Sequence, residues 1–536
     1  MRASAWGRRA YVPPESWPPM PPPKPRATAG SSPSATAASA ERAGTRSGAR
    51  SRIRERPLTI HEPRACMLSP MGVFPAGSSP LAVADGVSLA PRSTSPVAVL
   101  DLGSNSARVV VFDHPIPGVL ETIAEERLDL RLATELDHDS RLSERGVATT
   151  IDAVAEFAAF AREAGASSIK VVATAAIRSA RNRAELLARA HAELGLAIEV
   201  LDGAEEAELA AVGALHGLPI RSGVIVDVGG GSTEVARVIA GTIVGAWSFP
   251  LGALGASAEW LTDDPPTGKQ VKAMRRMIAD TLATNAPSRL DSGEELVATG
   301  GSARTLARLA QRQTDYPLPL PHGYSLDRGA LRDVNAFLMA HTAAERSDID
   351  GVRSGRADSI VGGAVILDEL MGHLGADRLT IAAGGLREGV AMRAFGEPVP
   401  QPRLVRVASV EALLRRHDAW DESEMEARAS LVDSLAPELI DDPFSDALEA
   451  ARLAAMLRVI GERGGVTRAG EATVEAVLAQ DLAGFDHAML ARIIAILHSS
   501  DGEKSAAAPF GELLPASEKR LLRRCGALLA GSGRKG

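Results

Sequence analysis

Apolar positions along this chain fall into two textures that change near residue 402. The first is a series of short unbroken apolar runs alternating with longer segments of helical period. VAVLDL and RVVVF predict two buried strands, Val97 to Leu102 and Arg108 to Phe112, with the small residues GSNSA forming the turn between them. Ala, Val and Phe recur at helical spacing over residues 142–164. IKVVATAAI then reads as a strand running into a helix, and IEVLDG as a strand followed by the helix EEAELAAVGAL. At Val224 the opening pattern returns: a strand VIVDV, a turn GGGST, and the strands EVARVIAG and TIVGAWSF. Strand, Asp, small-residue turn, strand has thus occurred twice, and this internal repeat is the most informative feature of the organisation. Two strand–Gly–Gly–helix units follow, LVATGGSARTLARLA and LTIAAGGLREGVAMRAF.

From about residue 402 the pattern is helical throughout. QPRLVRVAS stands near the start, followed by EALLRRHDAW, EARASLVDSLA, DALEAARLAAMLRVI and ATVEAVLA. This predicts a helical C-terminal domain over 402–530, with a loosely held end after about residue 500 and LLPASEKRLLRRCGALLA as one last helix. Residues 1–93 follow neither texture. Pro-rich runs, Ser/Ala/Gly tracts and scattered arginines from Arg42 to Arg56 cannot build a core, so the stretch is expected to be disordered. It reads either as an Arg-rich, acid-poor leader or as a product of a start codon placed too early, with Met67 and Met71 as the alternatives.

Composition narrows the class. A chain of 536 residues with 45% hydrophobic and 24% charged positions exceeds one ordinary core, and its apolar runs are too short to cross a bilayer. Two cysteines, Cys66 and Cys525, make neither a disulfide framework nor a metal cluster and suit a cytoplasmic location. A net charge of −8 offers no global attraction to nucleic acid, and none is expected as a partner. A polyanionic substrate would have to be held by a local site.

Four constellations carry candidate chemistry. In the first turn, Asp101 ends a strand and Gly103, Ser104, Asn105 and Ser106 follow. Successive backbone N–H groups and hydroxyls in such a turn wrap phosphate oxygens, and an acid at a strand end can hold Mg²⁺; an ordinary hairpin is the equal alternative. In the second, Asp227 precedes Gly229, Gly230, Gly231, Ser232, Thr233 and Glu234. Three consecutive glycines cost up to about 1 kcal/mol each relative to alanine and make sense where backbone approaches a ligand closely. Two such loops on facing repeats would form a phosphate cleft. In the third, Asp202 and Glu205 have capping-box spacing, which leaves Glu206 without a structural task and free to orient or deprotonate water, or simply to be a surface acid. In the fourth, Arg178 lies just after a strand, near a helix start, where a guanidinium can face an anion or merely solvent. Gly300–Gly301 sits where helix N-terminal amides can meet phosphate or merely lets helix and strand pack closely, and for Gly384–Gly385 the packing role is expected. Arg353 and Arg356 either line a polyanion path or are surface charges.

Taken together, DLGSNS, the segment around Arg178, DGAEEAEL, DVGGGSTE, ATGGS and GGLREGV resemble, in order and spacing over about residues 96–394, the exopolyphosphatase/guanosine pentaphosphate phosphohydrolase family. The resemblance implies an α/β, actin-like fold (the sugar kinase/Hsp70/actin superfold). It would comprise an RNase H-like domain over 94–217, a second over 218–398 and an all-α C-terminal domain. By the same resemblance Glu206 matches the catalytic glutamate. Asp227 matches a Mg²⁺-associated acid, with Asp101 and Glu234 as further candidates around Mg²⁺ or Mn²⁺, Arg178 a phosphate-binding arginine, and the two loops phosphate cradles. The substrate implied is inorganic polyphosphate or guanosine pentaphosphate, and a homodimer is implied as well. The C-terminal helices resemble the HD-type domain of longer members, but Arg458 and Val459 stand where a His–Asp pair would be, so no metal chemistry is assigned there. An actin-fold sugar or metabolite kinase and a non-catalytic polyphosphate or alarmone sensor are the rival readings.

Overall fold

The computed structural model describes residues 95–398, 401–435, 445–480, 482–502 and 509–532. The stretch 1–93, including Met67, Met71 and Cys66, lies outside the described residues. Two sheets of the same construction form the centre. The first contains β1 (Val97–Leu102), β2 (Ala107–Asp113) and β3 (Glu121–Leu128), then helix α1 (Glu144–Glu163) and β4 (Ser168–Ala173). It continues through α2 (Ala175–Ser179), α3 (Arg183–Leu194), β5 (Ile198–Val200) and α4 (Gly203–Gly217). Its strand order is β3-β2-β1-β4-β5, with β1 antiparallel to β2 and parallel to β4.

The second begins with β6 (Gly223–Val228), β7 (Thr233–Ile239) and β8 (Thr242–Phe249), followed by α5 (Ala253–Trp260), α6 (Gly268–Asn285), β9 (Glu295–Thr299) and α7 (Gly300–Gln313). β10 (Ser325–Asp327), α8 (Arg328–Met339), α9 (Ala343–Asp348), α10 (Ile360–Leu374), β11 (Arg378–Ile381) and α11 (Leu386–Phe395) complete it, in the order β10-β11-β9-β6-β7-β8. Again the first strand is antiparallel to the second and parallel to the strand after the crossover helix. The repeat seen in the sequence is therefore a repeat of topology. Asp101 pairs with Arg108 and Val172, and Asp227 with Glu234 and Thr299, which places the two aspartates at equivalent points.

Both leading strands are apolar on both faces because helices cover each side. Leu100 and Val226 are fully buried. Strand β3 escapes the apolar-run criterion because it is an edge strand, mostly exposed, whose residues ETIAEERL alternate little. Helix α4 joins the two halves, contributing Leu209 to a core with Val99 and Val172, and Ala211 and Leu215 to one with Ile225 and Val297. After the second sheet the chain crosses back: Leu386, Val390 and Ala391 of α11 lie in the core of the first sheet.

From α12 (Pro402–Arg416) onward the chain is helical: α13 (Glu422–Leu435), α14 (Asp446–Leu457), α15 (Val459–Arg463), α16 (Ala469–Leu478), α17 (His487–Ser500) and α18 (Glu518–Ser532). α17 forms the axis of this bundle, with Ile493, Ile494 and Leu497 fully buried. The bundle is tied to the rest by Ala408 and Ala412 against Ile116 and Val119, and by Gly484 N–H donating to Gly217 O at 2.7 Å. Arg458 is engaged by Glu462 and Ser500, His487 is buried against the Tyr316 hydroxyl at 2.9 Å, and His498 stacks on Phe510. His417 is exposed. No described helix is long and apolar enough to cross a membrane.

Candidate active site between the two hairpins

The β1–β2 and β6–β7 turns are built alike. Gly103 N–H donates to Ser106 O at 3.2 Å, and Gly229 N–H to Ser232 O at 3.0 Å. The two turns meet tip to tip. A methyl on Gly231 would stand 2.5 Å from Ser104 Oγ, and one on Gly230 would stand 3.0 Å from Asn105 Cβ, so any larger residue would push the loops apart. Ser104 Oγ accepts from Ala176 N at 3.1 Å, anchoring the first turn to the start of α2. One continuous cleft is lined by both turns, by Asp101, Asp227, Glu206 and Glu234, and by the starts of α7 and α11. Gly300, with φ +86°, lets the chain turn into α7 beside Asp227; a methyl there would lie 2.3 Å from Asp227 Oδ1.

Helix α4 begins as its sequence dictates. Asp202 accepts from Ala204 and Glu205 N–H, and Glu205 returns to Asp202 N–H. Glu206, next along, turns into the cleft and is only 8% exposed. Its Oε2 accepts from Arg178 Nη1 at 2.5 Å. Burial pushes the Glu206 carboxyl up to about 7; Arg178 opposes that rise, and Asp227 and Asp101 add to it. Asp227 rises to about 6, again chiefly by burial, against the pull of Arg304 and Arg387. Asp101 is raised by burial too, with Arg387 opposing.

Three of the expected side chains make bonds within the protein. The Arg178 guanidinium is bonded to Glu206 and to Leu201 O at 3.1 Å and stands 3.8 Å from Glu234, beside the carboxylates of the cleft. Thr233 is fully buried and its hydroxyl donates to Leu251 O, while the loop glycines and Ser232 line the cleft. Asn105 spends its Nδ2 on Gly355 O at 3.1 Å, bridging to the second half of the chain, while its Oδ1 is buried without a partner. Glu234 reaches the cleft, but its carboxyl is bonded to Ser248 at 2.9 Å and to Ser232; burial, then Glu206, raise it well above the ordinary value.

Sequence reasoning missed the basic lining. Arg108, Arg127, Arg304, Arg308 and Arg387 border the cleft, alongside the Arg353 and Arg356 that were left open. Arg356 is pushed down to about 9 by burial and then by Arg127, Arg304 and Arg353. Arg108 falls to about 9 by burial and then by Arg387 and Arg304, and Arg304 to about 10 by burial and then by Arg387. Cations crowded this way repel one another and call for a polyanion. Only Arg108 carried a local signal, being the hairpin residue directly across from Asp101. Gly384 serves packing, since a methyl there would be 2.5 Å from Gly213 O, where α11 meets α4, and Gly385 also lines the cleft.

The donor set suits a hard divalent cation. Asp101 and Asp227 are half-buried oxygen donors at equivalent strand ends of the cleft, and Mg²⁺ is usually held by one or two carboxylates plus phosphate and water. Among the described residues no three His, Cys, Asp or Glu converge as a complete cage.

Comparison with known proteins identifies the family. The profile of the Ppx/GppA phosphatase family matches residues 110–397. Exopolyphosphatase 1 of Mycobacterium tuberculosis is 32% identical over 328 residues, which is 60% of this chain and 94% of that protein. Exopolyphosphatase 2 of the same organism is 31% identical over 315 residues, 56% of this chain and 98% of the relative. Among solved structures, an exopolyphosphatase from Cytophaga hutchinsonii shares the fold with a TM-score of 0.51 at 23% identity, covering 57% of this chain and 99% of that one. On the extent of these matches, the chain belongs to the Ppx/GppA phosphatase family.

Proposed function

We propose that this protein hydrolyses the terminal phosphoanhydride of inorganic polyphosphate, releasing orthophosphate and a chain one phosphate shorter. The observation that carries the reading is the buried carboxylate of Glu206 at a cleft bordered by two phosphate-cradling turns and seven arginines. The relatives named exopolyphosphatase support the same substrate class.

In this reading the terminal phosphate lies against the N–H groups of the Gly103–Ser106 and Gly229–Ser232 turns. Arg108, Arg356 and Arg353 hold the phosphates behind it. Glu206 accepts a proton from a water aligned with the bridging bond. As the water oxygen bonds to phosphorus, the bond to the bridging oxygen breaks, and the electron pair leaves with the shortened chain. A carboxyl near 7 is well matched to that proton transfer at neutral pH. Arg178 fixes the orientation of Glu206. Mg²⁺ or Mn²⁺ would be held by Asp227, close to Asp101, and would supply charge neutralisation at the phosphate oxygens.

Orthophosphate release from long polyphosphate, tripolyphosphate and guanosine pentaphosphate, compared in one colorimetric assay with Mg²⁺, tests the proposal. Release from the inorganic chains is expected. Release from guanosine pentaphosphate alone would replace polyphosphate as the substrate, and release from none would overturn the reading.

A further inference from the structure

Arg387 is an unexpected residue for its position. It is the second residue of α11, where the helix dipole disfavours a cation. Its side chain is only 14% exposed and its Nε is buried without a partner. No packing requirement on α11 calls for a guanidinium, since Leu386, Val390 and Ala391 make its core contacts. Its Nη1 nevertheless reaches across from the second half of the chain to Asp101 Oδ2 at 3.2 Å. Glu388, next along, is occupied in capping Gly385 N–H at 2.7 Å, so Asp101 is the carboxylate to which Arg387 is bonded. Asp227, the equivalent aspartate, has no such hydrogen-bonded arginine among the described residues; Gly300 stands beside it instead.

Resting on the phosphohydrolase reading, we propose that Arg387 is a positioning residue that acts as a built-in cation on Asp101. It takes the charge that a second divalent ion would otherwise neutralise, and it directs a single divalent ion to Asp227. In phosphoryl-transfer centres with two metals, a pair of ions neutralises the attacking and leaving oxygens. Here a fixed guanidinium stands in one of those places, covalently part of the helix that packs against α4, which carries Glu206. Because the guanidinium cannot dissociate, the charge at Asp101 is independent of metal concentration, and only the Asp227 side depends on it.

The test counts ions on the full chain, using Mn²⁺ alone and reading free ion by electron paramagnetic resonance, with tripolyphosphate hydrolysis measured on the same preparation. Wild type is expected to bind one Mn²⁺ per chain. Arg387→Gln is expected to bind a second, with spin coupling between the two ions. Arg387→Lys, keeping the charge, should stay at one ion with affinity within about threefold of wild type. Asp101→Asn added to Arg387→Gln should return the count to one. Two coupled Mn²⁺ in wild type would overturn the proposal, as would an Arg387→Gln protein with unchanged count and affinity. A wild-type count of two overturns the proposal even if Arg387→Gln does not fold. If wild type hydrolyses tripolyphosphate while either overturning result holds, the role of Arg387 falls and the phosphohydrolase reading stands; if it hydrolyses nothing, the reading itself falls.

Discussion

Replacing Glu206 by glutamine separates chemistry from architecture, because the amide keeps the shape and still offers Arg178 an oxygen. What is lost is the negative charge, and the structure gives that charge a cost. Raising a carboxyl from 4.5 to about 7 corresponds to about 3 kcal/mol at 1.36 kcal/mol per pH unit. A carboxyl raised in the folded state contributes its stability below the unfolded value and loses it as pH climbs toward the folded one. The variant should therefore melt with wild type near pH 4.5, pull ahead through pH 5–7, and hold an advantage of up to about 3 kcal/mol above pH 7 without divalent cations. Turnover should move the other way. Loss of a general base of this kind lowers the rate by about 10²–10⁴, or about 2.7–5.5 kcal/mol of barrier. Orthophosphate release at saturating polyphosphate, with melting curves at pH 5 and pH 8, reads both effects. Near-normal release would remove Glu206 from the chemistry. Lost release together with a lower melting temperature at pH 8 would make it a structural carboxylate and refute the electrostatic argument.

Arg356→Gln should raise KM for polyphosphate by tenfold or more, roughly the loss of one charged hydrogen bond, with a smaller effect on kcat; an unchanged KM at low salt would remove Arg356 from the substrate path. Gly389→Ala puts a methyl 1.9 Å from Leu209 O on the α4–α11 seam and should cost about 1–3 kcal/mol in urea unfolding, with activity falling as Glu206 and Arg387 shift; an unaltered midpoint would show that the seam can yield. Asp368, 1% exposed, accepts from Arg275 at 2.5 Å, Arg328 at 2.6 Å and Arg332 at 3.0 Å. Asp368→Ala should destabilise by about 1–3 kcal/mol, since Arg328 and Arg332 lose their carboxylate while Arg275 keeps Glu369, and an unchanged midpoint would refute the network.

What the sequence determined by itself was local. The hairpins around Asp101 and Asp227, the repeat that makes them equivalent, and the α4 capping box that releases Glu206 all depend on residues within a few positions of one another. Apolar periodicity and turn chemistry encode such features directly. The helical texture after residue 402 was legible for the same reason. Edge strand β3 was not, because half-exposed pairing leaves little apolar signal. Tertiary structure alone decided which side chains meet. Arg178 finds Glu206 across 28 positions, and Arg387 finds Asp101 across 286, through a crossover of α11 that no local pattern announces. The arginines of the cleft come from strands, helix starts and a loop, and each in isolation looks like a surface charge. Their function arises from mutual burial and repulsion, quantities that exist only once the chain has closed on itself.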